Sequence, residues 1–213
     1  MVVLTQKDIE SIGESVLRDC AKRFPISTRT PIDIEQFARG YLKLRIEYRK
    51  LSDSGNLLGI LTRQRILLEL LINGSVIVMS VPEDTILLEE RLRFSGDIRR
   101  LRFTIAHECA HRILIPASDR AEWQANYLAA ALLMPRAEVF RLTESGYKPF
   151  RPALFGRRFN SRDYLRIREM ADKFQISTTA MILRLKELGL IVYKPVSEYY
   201  DPLDIAAQIG GVC

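Results

Sequence analysis

The sequence RFTIAHECAH, residues 102–111, determines how the rest of the chain is interpreted. It predicts an α-helix that begins after an N-cap at Asp97 and ends near Leu114. Residues three and four positions apart share a face of a helix, so this helix has one apolar and one polar stripe. The apolar stripe is Leu101, Ile105 and Cys109, and the polar stripe is Thr104, His107, Glu108 and His111.

The two histidines of the polar stripe predict a metal site. His107 and His111 are the 2 histidines of the chain, and their spacing of four residues places both imidazoles over one point. They can therefore chelate one divalent ion, and Glu108 beside them can reach a water on that ion. This His-Glu-x-x-His arrangement is typical of zinc hydrolases. The alternative interpretation is a pair of surface histidines on an amphipathic helix.

A catalytic zinc ion takes three protein ligands and keeps one position for water, so one ligand is still to be found. Cys109 lies on the apolar stripe, which leaves a carboxylate. Glu122 is the first candidate, because Asn126 lies one turn further on the same face and can orient it. Its capping-box spacing from Asp119 gives the alternative that Glu122 caps its own helix. Asp119 and Glu138 are the reserve candidates.

Composition excludes several classes of protein. The chain has 213 residues, of which 47% are hydrophobic, so it can bury a core. Its longest uncharged run, residues 70–82, is shorter than the roughly 20 residues of a membrane-spanning helix, and we expect no membrane association. Three scattered cysteines form no disulfide framework, which predicts a cytoplasmic location. The net charge of +6 permits nucleic acid or an acidic protein as a partner.

The pattern along the chain predicts the α+β class. Helices are expected from the N-cap Thr5 to Phe24 and from Pro31 to Arg39. Residues 42–90 predict a small antiparallel sheet, with a hairpin at Asn73-Gly74. Further helices follow over residues 97–135 and 136–194, the latter including segments at about 161–174 and 178–188. We therefore expect one domain over residues 1–194, with a helical part at 1–41 and a tail at 195–213.

Three stretches give a family resemblance. RFTIAHECAH at residues 102–111, EWQAN at 122–126 and AAALLMP at 129–135 resemble the ImmA/IrrE family of zinc metallopeptidases. The resemblance implies a zincin-like fold with one catalytic Zn²⁺ held by His107, His111 and Glu122. It also implies that Glu108 is the catalytic carboxylate. Residues 109–110 are Cys-Ala where Leu-Gly is frequent, and residue 124 is Gln where a second glutamate is often seen.

The resemblance also suggests a substrate and a mechanism. Members of this family are associated with cleavage of helix-turn-helix repressors of phages, mobile elements or stress responses, so we expect a protein substrate and a role in transcription regulation. Glu108 would accept a proton from the attacking water and deliver it to the leaving amine. We expect Thr104 and Asn126 to support the metal ligands, and Tyr127 and Arg112 are guesses for an oxyanion donor.

The strand before the metal helix is a candidate for substrate binding. In zincin folds an edge strand at this position pairs with the extended substrate, so we expect this role for Thr85, Ile86, Leu87 and Leu88.

Two other functions compete with a peptidase. Residues 161–190 predict two helices joined by a short turn, with Ser177 opening the second, and this pattern is also typical of DNA-binding proteins. The alternative is therefore a DNA-binding regulator, although the resemblance favours two packing helices within the peptidase. The other function is that of an antitoxin-like interaction protein whose zinc site does not turn over.

Overall fold

The computed structural model describes residues 4–24, 30–114, 121–144, 150, 152–153, 158–159 and 161–191. The chain divides into two compact units, Met1–Pro135 and Arg136–Cys213. The predicted α+β class and helical C-terminal part are confirmed. A single domain over residues 1–194 stays a prediction, and the tail at 195–213 lies outside the described residues. No helix in the described ranges is long and apolar enough to cross a membrane.

The first unit begins with helix α1, Gln6–Arg23. The Thr5 hydroxyl accepts a hydrogen bond from the Asp8 backbone N–H, and the Asp8 carboxylate accepts one from the Thr5 N–H. This capping box confirms the predicted N-cap and satisfies two groups at the start of the helix. The predicted second helix is shorter than expected: α2 is Ile34–Gln36 and continues as a π-helical turn, Phe37–Tyr41.

Five strands follow, in a three-stranded sheet and a hairpin. In the sheet, β1 (Arg45–Arg49) pairs in parallel with β5 (Thr85–Glu89), and β2 (Gly59–Thr62) pairs antiparallel with the other side of β5. Strands β3 (Ile66–Ile72) and β4 (Ser75–Val81) form the antiparallel hairpin. Its turn is the predicted Asn73-Gly74, where both residues have a positive φ, at 52° and 73°.

The sheet corrects two predictions. The β1–β5 pair is parallel, so the sheet is mixed and not wholly antiparallel. The segment from Thr85 to Leu88 is not an edge strand, because β5 is hydrogen-bonded on both sides. All five β5 residues are buried, as expected when an apolar run such as Ile86–Leu88 forms a central strand. The proposed substrate contacts of this segment are therefore wrong, and β2 is an edge strand instead.

The two faces of the sheet have different covers. The hairpin covers one face, where Leu70, Ile72 and Val81 pack with Leu87 of β5. Side chains alternate between the faces of a strand, so Gly59 and Leu61 of β2 belong to the opposite face. On that side, helix α4 (Ile98–Ile113) packs against β2 and β5.

Helices complete both units. In the first unit, α3 (Arg91–Phe94) precedes α4, and α5 (Ala121–Leu133) packs against both α4 and α1. The second unit contains α6 (Arg136–Glu144), the short strands β6 (Pro152–Ala153) and β7 (Arg158–Phe159), and helices α7 (Ser161–Phe174) and α8 (Thr178–Glu187). Ser177 caps α8 by accepting a hydrogen bond from the Ala180 N–H at 3.1 Å, as predicted. A DNA contact of α7 and α8 stays an untested alternative.

The burial of Leu87 can be tested by truncation. Leu87→Ala removes a fully buried side chain between the sheet and the hairpin, and we expect the free energy of unfolding to fall by about 2–5 kcal/mol. Leu67→Ala is the matched control, because Leu67 lies on the outer face of the hairpin and is 73% exposed. Urea denaturation measures both variants. Equal stabilities would contradict the assignment of β5 to the core.

Candidate metal centre

Helix α4 supplies the histidines, and its bounds agree with the prediction. Asp97 is the N-cap and accepts a hydrogen bond from the Arg100 N–H at 3.1 Å, while Leu114 is the C-cap. Ile105 and Cys109 are buried, as the apolar stripe requires. The polar stripe therefore lies on a different side of α4, with His107 and His111 partly exposed.

Helix α5 brings the third ligand candidate to the same point. Small residues allow the axes of two packed helices to approach closely. Fully buried alanines occur on both helices: Ala106 and Ala110 on α4, and Ala125 and Ala129 on α5. Glu122 lies in the first turn of α5. Its two carboxylate oxygens lie 3.3 Å from the Nε2 atoms of the two histidines.

Asn126 fixes the orientation of one imidazole. His107 Nδ1 lies 3.0 Å from Asn126 Oδ1, one turn beyond Glu122. An amide oxygen only accepts hydrogen bonds, so His107 Nδ1 carries the hydrogen and Nε2 presents its lone pair. This is the arrangement found behind metal-bound histidines. The prediction that Asn126 supports the ligands agrees with this contact, although the contact goes to His107 and not to Glu122.

The spacing of these atoms fits a tetrahedral ion. The Nε2 atoms of His107 and His111 lie 3.0 Å apart, and each lies 3.3 Å from an oxygen of Glu122. With metal–ligand bonds of about 2.0–2.1 Å, two ligands of a tetrahedral zinc ion lie about 3.3 Å apart. The three groups also form a possible metal cluster by distance alone, with all ligand atoms within 4.8 Å of one another. The residues present therefore fit a divalent cation.

The electrostatics of His111 suit a metal ligand. Burial lowers the pKa of His111, and the nearby His107 ring and the Arg63 guanidinium lower it further, while Glu122 opposes them. The imidazole is thus neutral near pH 7, which is the state that binds metal.

Glu108 lies beside the ligands in a different environment. Its side chain is buried, with 6% exposure, whereas Glu122 is 75% exposed. Burial raises the pKa of Glu108 to about 7, the charge of Glu122 raises it as well, and a hydrogen bond from the Leu61 backbone N–H opposes both. A carboxylate that titrates near neutral pH is suited to both accept and donate a proton.

Strand β2 holds helix α4 at two points that the sequence analysis missed. In the β2–β5 register, Ile60 and Thr62 bond to β5, so the N–H and C=O groups of Gly59 and Leu61 point to the outer edge. There the Leu61 N–H donates to Glu108. Directly after β2, Arg63 Nη2 donates to the backbone carbonyls of His111 and Leu114, the latter at 2.7 Å. Neither contact has a sequence signal, because both depend on where a backbone edge lies.

Other predicted residues have different surroundings. The Thr104 hydroxyl donates to the Arg100 carbonyl at 3.0 Å, and its predicted support of a ligand stays a prediction. Glu138 accepts hydrogen bonds from Arg141, and Asp119 lies outside the described residues. Two residues were named as guesses for an oxyanion donor. Of these, Tyr127 is buried, and Arg112 pairs with Asp84 at 3.0 Å.

Comparison with known families places this site in a peptidase. Residues 97–186 match the family model described as the IrrE N-terminal-like domain, which is a peptidase family. The matched segment contains α4 and α5 with all four residues of the site, so fold and site define a protein of the metallopeptidase type. The match confirms the resemblance to the ImmA/IrrE family over this segment. Comparison with curated proteins found no match.

The role of Glu122 predicts a loss of metal. Glu122→Ala removes one of the three predicted ligands without disturbing the core, because the side chain is 75% exposed. We expect the zinc content of the purified protein to fall well below one ion per chain, as measured by atomic absorption. Glu138→Ala is the matched control, and its zinc content should equal that of the wild type. Equal occupancy in Glu122→Ala would return Asp119 and Glu138 to consideration.

The contact of Asn126 predicts a smaller effect. Asn126→Ala leaves the three ligands in place but removes the acceptor of His107 Nδ1–H. We expect the zinc affinity to fall about 10–100-fold, as measured by competition with a chromogenic chelator. Affinity unchanged within error would mean that Asn126 does not orient the imidazole.

Proposed function

We propose that this protein is a zinc-dependent endopeptidase that hydrolyses a peptide bond in a protein substrate. The observation that carries the proposal is the convergence of His107, His111 and Glu122 at tetrahedral spacing, with the buried Glu108 carboxylate beside them. The match of residues 97–186 to a peptidase family model supports it. Zinc bound there would polarise the scissile carbonyl and make a bound water acidic at neutral pH.

The residues of the chain then have separate tasks. His107, His111 and Glu122 hold the ion, and Asn126 keeps the His107 ring in the tautomer that presents Nε2. The Glu108 carboxylate accepts the proton of the attacking water and delivers it to the leaving nitrogen.

We also propose that the substrate backbone lies along the outer edge of β2. This edge carries the outward N–H and C=O groups of Gly59 and the outward C=O group of Leu61, while the Leu61 N–H bonds to Glu108, so the edge borders the site. Extended peptides bind such edges by adding a strand. The opposite edge of the sheet is less suited, because Arg39 and Arg49 donate to the outward carbonyls of Ile46 and Tyr48 on β1.

The substrate class rests on the family. Members of the ImmA/IrrE family are associated with helix-turn-helix repressors, and we propose such a repressor as the substrate and a regulatory role in the cytoplasm. Helix α7 and all but the last residue of α8 lie within the matched segment, which supports their assignment to the peptidase region over a separate DNA-binding module.

Replacing the general base tests the mechanism. Glu108→Gln removes the proton acceptor but none of the three ligands, so we expect zinc to remain bound and peptide hydrolysis to fall about 10²–10⁴-fold. The substrates are peptides from a bacterial proteome digested with a protease of known specificity, and mass spectrometry identifies new termini. Glu69→Gln, on the exposed face of the hairpin, is the control. A zinc-loaded Glu108→Gln protein with wild-type rates would refute the proposed mechanism.

A further inference from the structure

Gly59 occupies a position on β2 where no side chain fits. A Cβ atom built on this residue would lie 2.7 Å from Glu108 Oε1, 2.9 Å from Thr104 Cγ2 and 3.2 Å from Glu108 Cγ. Real Cβ atoms essentially never come closer than 3.0 Å to another heavy atom, so one of these groups would have to move. The space beside Gly59 is therefore filled by the catalytic carboxylate.

Backbone conformation does not explain this glycine. Gly55, Gly74, Gly96 and Gly189 have φ values between 67° and 73°, where a glycine relieves strain. Gly59 lies within a regular strand and does not have a positive φ. The requirement at this position is the absence of a Cβ atom, as expected where a strand and another element approach closely.

Of the groups around Gly59, the Glu108 carboxylate is the one able to move. Thr104 is β-branched on a helix, so its rotamers are restricted, and its hydroxyl is bonded to the Arg100 carbonyl. Gly59 itself is held by the ladder between β2 and β5. Glu108 has three side-chain torsions and ends in the atom at 2.7 Å. A methyl group at residue 59 would thus push the carboxylate away from the Leu61 N–H.

We propose that Gly59 is a positioning residue: its missing side chain and the Leu61 N–H together fix the Glu108 carboxylate beside the metal ligands. This inference rests on the proposed function of Glu108 as general base. Gly59 touches no reacting atom and acts only through Glu108. Its Cβ position faces α4, whereas its backbone N–H and C=O groups point to the outer edge of β2. A side chain at residue 59 would therefore move the base without removing a backbone group that we propose to bind the substrate.

Gly59→Ala is the first test, with zinc-loaded protein and a fluorogenic peptide that the wild type cleaves. A displacement of about 1 Å in a catalytic group can cost on the order of 10²-fold in rate, so we expect kcat to fall about 10²-fold while KM and zinc content stay unchanged. Thr104→Ser in the same chain removes the methyl group at 2.9 Å and should restore part of the lost kcat. Gly13→Ala is the matched control, because its Cβ would meet only Leu128 and Ala131, at 3.3 and 3.4 Å.

The second test needs no substrate. We expect the Leu61 amide proton, followed by NMR, to move upfield in Glu108→Ala because its acceptor is removed, and to move the same way in Gly59→Ala. In the Glu108→Ala background, Gly59→Ala should then shift this proton little. A wild-type kcat in Gly59→Ala, or a Leu61 proton that does not respond to it, would overturn the inference. A wild type that cleaves no peptide would refute the proposed function, while the NMR result would still decide whether Gly59 positions Glu108.

Discussion

The site depends on the contact between strand β2 and helix α4. Along this contact, Gly59 lies against Thr104 and Glu108, the Leu61 N–H donates to Glu108, and Arg63 donates to the carbonyls of His111 and Leu114. The strand and the helix therefore run side by side, and successive outward positions of the strand meet successive turns of the helix. This geometry places Glu108 and His111 beside the strand whose outer edge we propose to bind a peptide.

Much of the centre could be predicted because it is local. The spacing of His107 and His111 on one helix fixes their convergence, since a helical turn leaves little freedom. The place of Glu122 follows from a second helix that returns along the first. The choice of a third ligand was narrow because few acidic residues follow the two histidines closely in the sequence. Asn126 could be foreseen from the same face of α5, although its partner is His107. Each of these inferences needed only helical periodicity.

The errors arose where strand pairing decides the outcome. The order of β1, β5 and β2 joins segments about 25–40 residues apart, and periodicity within one strand does not tell which neighbours it takes. The segment from Ile86 to Leu88 was placed at an edge, although an uninterrupted apolar run is more typical of a central strand. The bond of Thr104 to Arg100 was not foreseen for a different reason: a hydroxyl on a helix can donate to the carbonyl four residues earlier.

The two glutamates of the centre show how one residue type takes two roles. Glu122 is mostly exposed, at the start of α5, so its charge is well solvated and its carboxylate is available as a ligand. Glu108 is buried against β2, and burial together with the charge of Glu122 raises its pKa to about 7. The Leu61 N–H opposes this shift and fixes one carboxylate position. The difference between the two proposed roles, ligand for Glu122 and base for Glu108, therefore comes from burial and from one backbone hydrogen bond, both of which depend on how closely β2 approaches α4.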